Sequence, residues 1–234
     1  MLAGRGGFLR RIAMLKEERK QNPDLLYFDS GDFSQGSTYY TMYKGDVEIG
    51  LMNMMGIDAS TIGNHEFDFG IDNMARMFKM ANFPILCSNY DFTGTVLQDV
   101  VKPYTIIKRK GIKIGVFALN PQMEGLVLEK NCVGIKFLDP AKVANEMASM
   151  LKKEKKCDVV ICISHLGWTN DPYSDLNVFS KTRGIDVVLG GHSHTYFDTL
   201  RYIKDLDGKE IPVDQNGKHG FFIGKMKLQF DKKK

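Results

Sequence analysis

Apolar residues in this chain alternate between short unbroken runs and runs spaced by three or four, and that alternation dictates a layered α/β architecture. Residues 8–20 set Phe8, Leu9, Ile12, Ala13 and Leu15 at helical spacing with basic residues between, and Asn22-Pro23 stops the helix. Residues 25–28 are continuously apolar, the pattern of a strand buried on both faces. Residues 39–55 predict a second helix, closed by Gly56, whose row of methionines belongs to a core and not to a cofactor box. Strand 58–62, helix 71–81 and strand 85–88 continue the alternation, which implies parallel strands joined by helical crossovers.

After Asn89 the pattern changes. Residues 104–108 turn at Lys110-Gly111 into 112–119, which predicts an antiparallel hairpin. A helix over 140–155 opens on Pro140, where the missing N–H costs nothing. Strands at 159–163 and 185–189 bracket a short helix at 175–181, and the chain from Asp198 onward is strand-like, with turns at Asp207-Gly208 and Asn216-Gly217. No internal repeat or linker interrupts the pattern, so one domain over 1–234 is expected: a mixed sheet, two-layered or sandwiched, with helices outside it.

Composition narrows the function classes. With 43% hydrophobic residues in 234, the chain can bury a large core. The net charge of +4 is spread thinly, and the lysine runs at 152–156 and 232–234 read as solvated faces, so nucleic acid is not an expected partner. No apolar stretch approaches the roughly 20 residues of a membrane span, and Met1-Leu-Ala-Gly-Arg-Gly-Gly has no signal-peptide core. Cys87, Cys132, Cys157 and Cys162 form no Cys-x-x-Cys pair; buried free thiols are expected, weakly favouring a reducing compartment without excluding the periplasm.

The chemistry sits where the strands end. Gly63-Asn64-His65-Glu66-Phe67-Asp68 packs an amide, an imidazole and two carboxylates into one loop, although an Asn-His pair there could also simply cap the next helix. Three further apolar runs end in Gly31-Asp32, in Ser164-His165 and in Gly190-Gly191-His192-Ser193-His194. Open α/β sheets place ligand sites at such carboxyl ends. Asp32, Asn64, His165, His192 and His194 are oxygen and imidazole donors without a thiolate, a set suited to Zn, Mn or Fe. His219, in Asn216-Gly-Lys-His-Gly, reads as a turn residue.

These blocks, in this order, resemble the calcineurin-like metallophosphoesterases. The longer Gly-Asn-His-Glu-Phe-Asp, with Asn89 after Phe83-Pro-Ile-Leu-Cys-Ser, resembles the 5′-nucleotidase and UDP-sugar hydrolase branch. The resemblance implies a four-layer sandwich of mixed β-sheets flanked by helices. It implies two divalent metal ions: Asp32 bridging them, Asn64, His165 and His192 completing one site, and His194 serving the other. It also implies that His65 is a non-ligand histidine beside the scissile phosphate, paired with Asp68. A small-molecule phosphate ester, first a nucleoside 5′-monophosphate, is the implied substrate, hydrolysed by an activated water in the periplasm or at the cell surface. Substrate-binding residues and oligomeric state are not implied.

One block departs from the pattern. The resemblance calls for a first strand ending in Asp-x-His, and none occurs in the chain, where Gly4-Arg-Gly-Gly-Phe-Leu-Arg-Arg looks like the segment that follows it. The expectation is a domain truncated at its amino terminus, with a separate carboxyl-terminal nucleotidase domain outside it, at most one firmly bound metal, and little activity in this form. The rivals are a relative acting on cyclic nucleotides, nucleotide sugars or a sulfur ester, which a substrate panel separates, and a non-catalytic domain binding a metal or a partner. The missing Asp-x-His favours the last, and the His65–Asp68 pair speaks against it.

Overall fold

The computed structural model describes residues 5–230. Met1 to Gly4 and the terminal Asp231-Lys-Lys-Lys, read above as part of the opening segment and as a solvated face, lie outside the described residues.

Helix α1 (Phe8–Gln21) leads into β1 (Phe28–Asp29), and helices α2 (Thr38–Tyr43) and α3 (Asp46–Met55) precede β2 (Ala59–Thr61). Helix α4 (Gly70–Phe78) and β3 (Ile85–Leu86) follow, and then β4 (Tyr90–Asp91). β1, β2 and β3 form a parallel three-stranded sheet in that order. The second half supplies β5 (Tyr104–Arg109), β6 (Ile112–Leu119), β7 (Lys136–Phe137), α5 (Pro140–Ser149), β8 (Val159–Ser164), α6 (Asp175–Phe179), β9 (Val187–Leu189), β10 (Arg201–Lys204) and β11 (Glu210–Asp214). Six of its strands make a mixed sheet of order β10-β11-β9-β8-β6-β5, parallel through its centre and antiparallel at both edges, while β4 and β7 pair separately.

The period of two along β6 and β8 explains how the sheets stack. Phe117, Leu119, Val160 and Cys162 point into a core with α5 and α6. Val116, Ala118, Ile161 and Ile163 point the other way, onto Ala59 and Leu86 of the small sheet. A third core packs α1, α3 and α4 on the far side of the small sheet. The layers are therefore helix, sheet, sheet, helix, as expected, and the hairpin turns at Lys110 and Gly111, both at positive φ.

Four expectations need correction. The single helix over 39–55 is two, because Lys44 (φ 52°) and Gly45 (φ 101°) break it, and a Cβ at Gly45 would overlap the Met77 sulfur of α4. Its methionines divide accordingly: Met52 and Met55 are buried, Met42 and Met54 exposed. The 25–28 run is only half-buried and enters the sheet at Phe28, because β1 is an edge strand and not a central one. Cys87, Cys157 and Cys162 are buried free thiols, whereas Cys132 is half-buried beside a 3₁₀ turn. Residues 221–230, expected to be strand-like, run without regular structure.

Candidate metal centre

Four parallel strands deliver the candidate donors. β1 leads to Asp32, β2 to Asn64 and His65, β8 to His165, and β9 to His192 and His194. The first two belong to one sheet and the last two to the other. They converge because Ser30 spans the gap: its Oγ donates to the Leu189 carbonyl at 3.2 Å, and its own carbonyl accepts from His165 Nδ1. Asp32, His165 and His192 each offer a ligand atom within 4.8 Å of the others.

The loops reach these positions under local strain. Asp32 (φ 57°), His192 (φ 68°) and His194 (φ 57°) all hold left-handed backbone, which costs an L-residue roughly 1–2 kcal/mol. Residues held this way concentrate at functional sites, where surrounding contacts over-determine them. Gly63 is one such contact, since a Cβ there would overlap Asp32 Oδ1 and stand 2.5 Å from the Asp32 nitrogen.

Glu66 is the other. It is fully buried, and its two oxygens accept from Gly63 N (2.6 Å), Asp32 N (2.9 Å), Ser34 N (3.2 Å) and Ser34 Oγ (2.7 Å). Burial and the nearby Asp32 charge push its carboxyl up to about 7, while these donors favour the charged form. Counted by sequence among the donors of the loop, Glu66 instead faces inward and ties the Asp32 loop to the Asn64 loop. Behind them, buried Asn89 and Asn120 exchange two 2.8 Å bonds, and Asn120 Nδ2 reaches the Ile62 carbonyl.

The unpaired atoms show what the cluster fits. His165 donates from Nδ1 to Ser30, and its Nε2 lies 3.1 Å from Asp32 Oδ2, off the hydrogen-bond direction and without a partner among the described residues; burial opposes the charged ring, but Asp32 and the Ser30 carbonyl outweigh it and raise the imidazole above its ordinary value. Asn64 Oδ1 is buried and has no hydrogen-bond partner among the described residues. A ring nitrogen beside a carboxylate, with an unpartnered amide oxygen on the neighbouring loop, suits a cation, which would take the Nε2 lone pair in place of a proton. Burial opposes the Asp32 charge, but His165 and the 2.9 Å bond from the His65 amide hold the carboxyl down at about 2. Burial, reinforced by His165, pushes His192 down to about 4, so at neutral pH it presents a lone pair. Asp32, Asn64, His165 and His192 thus fit a divalent metal. His194, though only two residues on, is exposed and stands outside the three-residue group.

His65 and Asp68 form a separate pair. His65 Nδ1 lies 3.3 Å from both Asp68 oxygens, and both side chains are a little over one-third exposed. Tyr40 holds the turn from one side, donating to the His65 carbonyl at 3.0 Å, and Asn131 from the other, donating to the Asp68 carbonyl at 3.1 Å. His219 sits in a turn with φ 60°, as expected.

Known proteins share the sequence pattern and the fold of this chain. Residues 4–196 match the calcineurin-like phosphoesterase family. A snake venom 5′-nucleotidase of Gloydius brevicauda is 30% identical over 97% of this chain and 41% of its own length. The 5′-nucleotidase of Rattus norvegicus is 29% identical over 97% and 42%. The crystal structure of a 5′-nucleotidase precursor from Thermus thermophilus superposes with a TM-score of 0.84 at 28% identity, over 92% of this chain and 44% of its own. The chain spans less than half the length of these relatives. The family match runs from ahead of the Asp32 loop to just past His194, so it takes in every strand end that carries a donor, and the chain belongs to the calcineurin-like phosphoesterase family.

Proposed function

We propose that this chain is a metal-dependent phosphoesterase domain that hydrolyses phosphate monoesters, with nucleoside 5′-monophosphates as the first substrate class. The observation that carries the reading is the convergence of Asp32, His165 and His192 with the unpartnered Nε2 of His165 and Oδ1 of Asn64. The nucleotide part of the proposal comes from the 5′-nucleotidase relatives and from the Gly-Asn-His-Glu-Phe-Asp loop.

In this reading Asp32, Asn64, His165 and His192 hold the metal. Divalent ions of this kind supply Lewis-acid charge that acidifies water and stabilises phosphoryl oxygens. His65 holds a proton on Nδ1 for Asp68, which fixes the tautomer and leaves Nε2 to face the substrate. With a second proton on Nε2, the imidazolium stabilised by Asp68 would steady charge on the departing oxygen or pass it that proton, leaving the neutral ring still bonded through Nδ1. Glu66 and Gly63 keep the two carboxylate and amide loops in register, and the Ser30 carbonyl orients His165 as bonded carbonyls orient ligating histidines.

The test is phosphate release by the full-length protein that contains this chain, loaded with Mn²⁺ or Zn²⁺. AMP should be cleaved, and chelator should stop it. Turnover of neither nucleotides nor a generic aryl phosphate sinks the proposal, and a panel with cyclic nucleotides, nucleotide sugars and a sulfur ester fixes the ester class.

A further inference from the structure

Beneath the two histidine loops lies a second set of buried polar groups. Asp175, at the start of α6, is fully buried; its Oδ1 accepts from Ser164 Oγ at 2.5 Å, directly before His165. Gln215, just after β11, is 1% exposed; its Oε1 accepts from Ser193 Oγ at 2.9 Å and from the Thr195 nitrogen at 2.6 Å, on either side of His194. The backbone donor at Thr195 settles which end of the Gln215 amide is oxygen, so Nε2 points away from that turn.

Two atoms of this set lack partners. Asp175 Oδ2, an acceptor, and Gln215 Nε2, a donor, are both buried and unpaired among the described residues. They border the same spot: a Cβ on Gly190 would stand 3.2 Å from the first and 3.1 Å from the second. A buried donor and a buried acceptor left apart would each cost about 1–3 kcal/mol, so a link across the space that Gly190 leaves free satisfies both.

We propose that Asp175 and Gln215 are joined across Gly190 and act as a positioning brace that fixes the His165 and His192 loops relative to each other. The link closes a ring. Ser164 bonds Asp175, Gln215 bonds Ser193, and Ser193 Oγ accepts from the Trp168 nitrogen at 2.9 Å, back on the His165 loop. Rotation of either histidine loop must then strain both sides of the ring. Neither residue reaches the donor cluster, and both act through the backbone on which His165 and His192 sit. The location also accounts for a glycine at 190, since φ there is ordinary and a Cβ would crowd Asp175 and Gln215, with the Asp214 carbonyl 3.4 Å away.

The test uses two readouts, and only the second rests on the metal-centre reading. In metal-free protein, hydrogen exchange is followed at the His165 and Leu166 amides and at the Ser193 and Thr195 amides. Gln215→Met should speed exchange at His165 and Leu166, and Asp175→Asn at Ser193 and Thr195, each effect crossing the brace to the loop that the substituted side chain does not itself bond. Mn²⁺ titration should then show affinity falling about 10- to 100-fold in each variant, as for other residues that orient ligands, with the double variant no worse than the weaker single. If Gln215→Met fails to fold, Gly190→Ala, which fills the space with a methyl group, should give the same crossed exchange pattern. Exchange that changes only beside each substitution, or losses that add in the double variant, would overturn the brace. Wild-type protein that binds no Mn²⁺ would instead defeat the metal-centre reading, and the exchange pattern would still decide the brace.

Discussion

His165 Nε2 and Asp32 Oδ2 face each other at 3.1 Å while the opposite nitrogen of the ring is committed to the Ser30 carbonyl. That relationship leaves the pair one cation short. We expect the protein to bind at most one Mn²⁺ or Zn²⁺ firmly, through Asp32, Asn64, His165 and His192. Elemental analysis after dialysis should give no more than one ion per chain, and His165→Ala should lose it. Two tightly held ions, with His194 coordinating the second from donors within this chain, would show that His194 is closer to the centre than its exposed position implies.

His65 is expected to serve turnover without serving the metal. In the full-length, metal-loaded protein, His65→Ala should lower kcat by about 10²- to 10⁴-fold, the usual weight of a general acid or base, at unchanged metal content. Asp68→Asn should cause a smaller loss of the same kind, because it frees the tautomer but leaves the ring. Loss of metal from the His65 variant would make His65 a ligand.

Glu66→Gln isolates the inward carboxylate. An amide keeps one acceptor oxygen, so two of the donors now gathered on Glu66 lose their partner, at about 1–3 kcal/mol each when buried. Urea denaturation of metal-free protein near pH 8 should show that loss. A neutral result would mean that Glu66 already carries a proton in the folded protein.

Asp175 should impose a pH dependence on stability. Burial pushes its carboxyl up to about 7, far above an unfolded aspartate, so the folded state favours the protonated form. Its stabilising contribution is therefore complete below the unfolded value near 4 and is lost as pH rises through 7. Relative to Asp175→Asn, wild-type protein should lose stability over that window at up to about 1.4 kcal/mol per pH unit. Parallel stability curves for the two proteins, measured without metal, would refute this.

How much of the molecule is legible in the sequence follows from what each signal reports. Unbroken apolar runs mark strands, and Gly-Asp, Gly-Asn-His and Gly-Gly-His immediately after them mark loops at strand ends, so Asp32, Asn64, His165 and His192 stand where those signals place them. Periodicity does not report a break that keeps the phase, which is why Lys44-Gly45 is invisible within one long helical pattern. Nor does a one-dimensional motif say which way a side chain turns: Glu66 sits between His65 and Phe67 in a 3₁₀ turn that points it into the protein. His194 shares the left-handed backbone of His192 yet is exposed, something His-x-His spacing alone does not distinguish. Gln215, Asn120 and Asp175 carry no motif, since their importance lies in partners distant along the chain.

The donors come in pairs from two sheets that, among the described residues, share no strand pair, although the Ser88 nitrogen past β3 donates to the Ala118 carbonyl of β6 at 2.9 Å. An ion held by Asp32 and Asn64 on one side and His165 and His192 on the other is therefore a rivet through the seam of the sandwich. It would add to the ties already there: the apolar packing of Ala59 and Leu86 against the larger sheet, and the bonds of Ser30 to Leu189 and His165 and of Asn120 to Ile62. Any ligand that favours the closed seam raises the work needed to part it, by RT ln(1 + [L]/Kd). The melting temperature should accordingly climb with free metal concentration, and a pulling experiment across residues 29 and 187 should find two rupture forces, one for the riveted seam and a lower one for the bare protein.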